Sequence, residues 1–193
     1  MDITTGVRAI ASASGDEPVD WSAVATAAKA LTDPGAIALD DTEKEGYAAD
    51  VREARDAIRS VTERSFGVPE TIEIQNRHHW IDANVVTFRR AFEPLSGDDV
   101  AVHRVSRSVN TASAAGTLAY VARHVLGQYD PLLLADGDAD HQLYFVHPNV
   151  VRAADSLDVD YPRFRRWIAF HEVTHAAEFG AAPWLGDYLA DRL

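Results

Sequence analysis

No cysteine occurs in the 193 residues. Neither a disulfide nor a thiolate metal site can be built, and any zinc must take nitrogen and oxygen ligands. Lysine is nearly missing too, with Lys29 and Lys44 the only two. No apolar run approaches the roughly 20 residues needed to cross a bilayer. The start, MDITTGVRAI, lacks the basic head and long apolar core of a secretory signal, so the cytoplasm is the expected compartment. No P-loop, G-x-G-x-x-G, G-x-S-x-G or S-x-x-K pattern is present, which leaves phosphate-cradling and serine chemistry without an anchor.

What is abundant is acid. Thirty acidic residues against eighteen basic ones give a net charge of −12, and Asp is twice as frequent as Glu. A strongly acidic, lysine-poor surface is that of proteins working in high salt, so a halophilic source is expected. The same charge repels phosphates and argues against nucleic acid and anionic membranes as partners. A hydrophobic content of 47% is enough for one domain with a real core.

Taken in order, residues 1–19 are small and polar and read as a mobile lead-in to a single domain over 20–193. Asp20 caps a helix through Trp21, Val24, Ala28 and Leu31, stopped by Asp33-Pro34-Gly35. A second helix starts near Asp41 and runs to Ser65, with Tyr47, Val51, Ala54, Ile58 and Val61 as its apolar stripe. A strand over Thr71–Ile74, a helix over His78–Phe92 and an alanine-rich helix over Ser108–Leu126 follow, with Gly127 as the C-cap of the last. Pro131–Leu134 and Gln142–Val146 read as two strands of a hairpin. Asn149 caps a helix to Ser156, and Asp160 caps another over Pro162–Phe179 that Gly180 ends. A short helix, Trp184–Arg192, closes the chain.

The chemistry lies in Phe170-His171-Glu172-Val173-Thr174-His175, an H-E-x-x-H on that long helix. At 100° per residue, positions i and i+4 project from nearly the same side, so His171 and His175 can converge on one metal ion. Glu172, one step round, can hold a metal-bound water and take its proton. Trp167, Ile168, Ala169, Phe170, Val173, Ala176, Ala177 and Phe179 make the segment apolar nearly all round, which predicts a buried helix. Two imidazoles and a carboxylate buried there need partners, and zinc supplies one. Two other clusters fail the same test. Adjacent His78 and His79 diverge by about 100° on a helix and read as structural. Asp136, Asp138 and Asp140 alternate as in a calcium loop, but Gly137 comes early and the twelfth position is His147, not Glu.

The runs Leu126-Gly127-Gln128-Tyr129-Asp130, Leu143-Tyr144-Phe145-Val146-His147-Pro148-Asn149, Trp167 to His175 and Phe179-Gly180-Ala181-Ala182-Pro183-Trp184-Leu185 resemble a zincin-like family. Its members carry the names hydrolase or zinc-dependent metalloprotease, and some are labelled as associated with deazaflavin-coenzyme biosynthesis. The resemblance runs from about Asp20 to the end. It implies zinc at His171 and His175, with Glu172 as base. Family members generally continue well past the segment matching Pro183-Trp184-Leu185, so a domain truncated at its C-terminal end is one expectation.

Catalytic zinc normally takes three protein ligands plus water. The sixth position after His175 is Ala181, so the extended metzincin pattern is not met. Glu178, at i+7 from His171, is the local candidate for the third ligand and Asp187 the second; an absent or distant ligand stays open. The expected fold is α+β and mainly helical, zincin-like, with a small sheet beside the H-E-x-x-H helix. The hairpin around Leu143–Val146 is expected to receive an extended substrate. The expected function is zinc-dependent hydrolysis of a peptide or amide bond, against the alternative of a zincin-fold metal-binding scaffold or interaction protein without turnover.

Overall fold

Aspartates start three of the helices. Asp2, Asp20 and Asp40 each accept a hydrogen bond from the backbone N–H three residues on, at 3.2, 3.0 and 2.8 Å. Each satisfies a donor that a helix start would otherwise leave unpaired. The computed structural model describes residues 2–36, 38–69, 72–92, 104–130 and 142–192. In chain order the elements are α1 (Ile3–Ala11), α2 (Trp21–Ala30), α3 (Asp41–Thr62), β1 (Ile72–Gln75), α4 (Arg77–Phe92), α5 (Arg104–Ala122), β2 (Gly127–Asp130), β3 (Gln142–Val146), α6 (His147–Ser156), α7 (Tyr161–Ala181) and α8 (Trp184–Ala190).

These elements make two compact units. One, from Met1–Gly35 and Asn76–His124, has only helices among its described elements. The small residues of α2 let its neighbours approach: Val24, Ala27 and Ala28 are fully buried and α2 packs on α1, α4 and α5. The stretch read as a mobile lead-in contains α1. Asp2 caps it, and Gly6 meets α2 where a Cβ would stand 3.4 Å from that of Ala30. His78 is structural, its Nε2 2.7 Å from the Thr32 carbonyl.

The other unit, Ala36–Gln75 and Val125–Leu193, holds the mixed part of the fold. Its three-stranded sheet has the order β1-β3-β2, with β1 parallel to β3 and β2 antiparallel to it. Ile72 stands opposite Leu143, and Gly127 opposite Phe145. Helices α3 and α7 pack on each other, and Tyr47, Val51, Leu143, Phe145, Ile168 and Val173 form the shared core. Each large apolar side chain buried there contributes about 1.5–3 kcal/mol.

The expected hairpin is replaced. Pro131–Leu134 and the Asp136–Asp140 run lie outside the described residues, and the antiparallel partner of β3 is β2. Gly127 is thus the first residue of a strand, not a C-cap. Helix α5 has already ended at Ala122, where His124 puts its Nδ1 2.7 Å from the Tyr120 carbonyl. Because β3 is paired on both sides, it cannot receive a further strand. Helix α3 stops at Thr62, where Glu63 turns left-handed at φ 52°. Helix α6 begins at His147, and Asn149 is no cap: its buried side-chain amide donates to the Val125 carbonyl at 2.7 Å. Asp160 holds the N-cap position of α7 but its side chain makes no capping hydrogen bond, and Pro162, which needs no N–H partner, sits in the first turn.

Candidate metal centre

Helix α7 buries one side only. Ile168, Ala169, Glu172, Val173 and Ala176 face inward, whereas His171 is exposed and Trp167 retains 59% of its accessible surface. The expected all-round burial is therefore corrected. The helix meets α3, α6 and β2, and none of these covers the row Trp167-His171-Thr174.

The two imidazoles lie on that outer side, as the i, i+4 spacing predicts. Their ring centres are 4.8 Å apart and the planes stand at 79°. Two imidazoles sharing a tetrahedral zinc at about 2.0–2.1 Å per nitrogen have ring centres roughly 5 Å apart, so this pair fits a zinc ion. Trp167 stacks on the far side of His171, at 5.9 Å and 19°. Glu178 puts Oε2 3.0 Å from His175 Nδ1. Among the described residues no group of three acidic, histidine or cysteine side chains is gathered as a metal site. The side chain of Asp187 lies outside the described residues.

Glu172, next to His171 in the helix, is 6% exposed and lies within the electrostatic reach of both imidazoles. Its Oε2 accepts a hydrogen bond of 3.0 Å from the Tyr129 backbone N–H. Burial pushes this carboxyl above the ordinary range, opposed by that hydrogen bond and by the two imidazoles. Beside it, Gly127 has no side chain where the carboxylate runs. A Cβ there would fall 2.7 Å from Glu172 Cγ and 2.8 Å from Oε1.

A second polar cluster fixes the first half of α7. Arg165 pairs with Asp50 of α3 at 2.6 Å and lies over the rings of Tyr47 and Tyr161. Both tyrosine hydroxyls reach His147 Nδ1, at 3.2 and 3.3 Å. Burial holds the His147 imidazole below the usual histidine range and drives the Tyr47 phenol upward. Gly46 makes room for the guanidinium of Arg165. Sequence reading missed this cluster, because its members are scattered over three helices. A glycine within an otherwise regular helical pattern was the available signal.

A profile of the zincin-like metallopeptidase family matches residues 19–193. Among solved structures, a crystal structure from Chloroflexus aurantiacus described as "a putative hydrolase with a novel fold" is similar, with a TM-score of 0.75 and 32% identity. The match covers 90% of this chain and 57% of that one, so this chain spans little more than half of that protein's length. No curated protein matches.

Proposed function

The chain belongs to the zincin-like metallopeptidase family, and from that membership we propose a zinc-dependent hydrolase acting on peptide or amide bonds. The observation that carries the reading is the pairing of two outward imidazoles, 4.8 Å apart, with a buried carboxylate between them in sequence. In this reading His171 and His175 hold zinc. Glu178 orients His175 through Nδ1, which leaves Nε2 for the metal. When bound, zinc polarises a carbonyl and lowers the pKa of water toward about 7. Glu172 is the base: burial makes its carboxylate readier to take a proton from the attacking water and return it to the leaving amine. Oε2 is tied to Tyr129, so the proton goes to Oε1. The exposed side of α7 admits an open, extended substrate rather than enclosing a small one.

Glu172→Gln tests this reading. It keeps shape and hydrogen bonding but removes the basic carboxylate, so zinc stays while peptide cleavage falls by roughly 10²- to 10⁴-fold. Equal cleavage by both proteins excludes Glu172 as the base. A second reading, a metal-binding scaffold without turnover, is favoured by the lack of a three-ligand set among the described residues. It requires a peptide-library digest to stay silent with zinc-loaded wild type, including a longer form of the protein.

A further inference from the structure

Strand β2 packs against α7 and places Tyr129 in the core of this unit, with Leu126 just before the strand packed on the same core. Gly127 and Tyr129 are two residues apart and so share one orientation along the strand. Tyr129 turns its N–H toward α7, to Glu172 Oε2 at 3.0 Å. Gly127 offers bare backbone to the same side chain, with the carboxylate in the space of the missing Cβ.

We propose that β2 is the positioning element of the base, and that Gly127 and Tyr129 together fix which carboxylate oxygen works. The proposal rests on Glu172 being the base. The Tyr129 amide ties Oε2, and the slot at Gly127 lets the side chain lie along the strand with Oε1 left to exchange a proton. Neither residue touches substrate; both act through Glu172. A side chain at 127 cannot be accommodated by the strand, because β2 is held in register by β3. Glu172 is the flexible partner, so it moves and the fold stays.

Gly127→Ala is the first test, read by amide hydrogen exchange and by kinetics. The Tyr129 amide is expected to lose protection as Glu172 is displaced, while the β3 amides keep theirs. Zinc content and KM are expected to stay at wild-type values. The turnover number is expected to fall by roughly 10²-fold, the cost of about 1 Å of misplacement. Glu172→Asp shortens the base by one methylene, so Gly127→Ala added to Glu172→Asp should cost little further.

The Tyr129 amide should also lose protection in Glu172→Ala, where β2 is untouched. That arm needs neither catalysis nor a folded Gly127→Ala protein. Unchanged Tyr129 exchange in Glu172→Ala overturns the proposal, as does a full multiplicative loss in the Gly127→Ala, Glu172→Asp double variant. If wild type cleaves nothing, the hydrolase reading fails, but the exchange measurement still decides whether β2 holds the carboxylate.

Discussion

Removing Asp50 should do more damage than removing any other carboxylate on α3. The Asp50 and Arg165 side chains retain only 11% and 12% of their accessible surface and meet at 2.6 Å. Asp50→Ala leaves a guanidinium in a nearly dry position with no counter-charge, a change that costs about 3–5 kcal/mol. Two aromatic rings at 5.3 and 5.6 Å still face Arg165 and soften the loss, which argues for the lower end. About 3 kcal/mol corresponds to a fall in Tm of about 6–12 °C in a chain of this size. The effect should be mutual. Arg165→Met should cost a similar amount, whereas Asp50→Leu with Arg165→Met should return close to wild type, because well-packed apolar residues replace a buried pair without penalty.

Gly46→Ala gives an opposite sign to the usual rule. Alanine in a helix interior normally gains about 0.5–1 kcal/mol over glycine, but here the new methyl enters the space of the Arg165 guanidinium. A net loss of stability is expected. Urea melts followed by tryptophan fluorescence measure all four variants. A cost below about 1 kcal/mol for Asp50→Ala, the value of an exposed pair, would refute the reasoning, and so would a gain from Gly46→Ala.

Three further outcomes are expected. The protein should bind about one zinc that His171→Ala or His175→Ala abolishes; metal analysis giving equal zinc in all three proteins would remove the site. Twelve excess negative charges repel one another, and the Debye length falls from about 10 Å at 0.1 M salt to about 3 Å at 1 M. The Tm should therefore rise toward molar salt, and a flat profile would contradict a fold limited by its own charge. His147, facing Tyr47, Tyr161 and Arg165, titrates below the ordinary value because it is buried; Arg165 acts in the same direction and the field of Glu43 opposes both. The unfolded chain then binds more protons between that lowered pKa and about 6.5, so stability is full above about pH 6.5 and falls as the pH drops. His147→Gln should show a smaller fall between pH 7.5 and 5.5 in the same urea melts; an unchanged fall would mean that other groups set it.

The sequence carried the local half of this molecule. The H-E-x-x-H spacing located the imidazole pair, because i, i+4 geometry belongs to any helix. Asp20 announced its helix start because capping is decided within four residues. What failed was non-local. Gly127-Gln128-Tyr129-Asp130 has no alternation that marks a strand, and it becomes one only because β3 lies beside it. The apolar flanks of α7 suggested burial all round, but hydrophobicity states what a helix would bury, not which neighbours exist to cover it. The contact between Glu178 and His175 Nδ1, three residues apart on one helix, is the kind of detail that depends on rotamers and not on spacing.

The strand order also has a consequence in time. Ile72 of β1 is paired with Leu143 of β3, and between them runs Asn76–His124 of the other unit. At 5–20 residues per second a ribosome needs roughly 4–14 s to deliver the partner that β1 awaits. Through that interval β1 carries Ile72 and Ile74 on an unpaired strand, a stretch open to chaperones and to pairing with other nascent chains. Helix α7 emerges later again. The Glu172 carboxylate can be seated only after β2 has found β3 and α7 has reached β2, so its hydrogen bond to the Tyr129 amide is among the last contacts this unit can make.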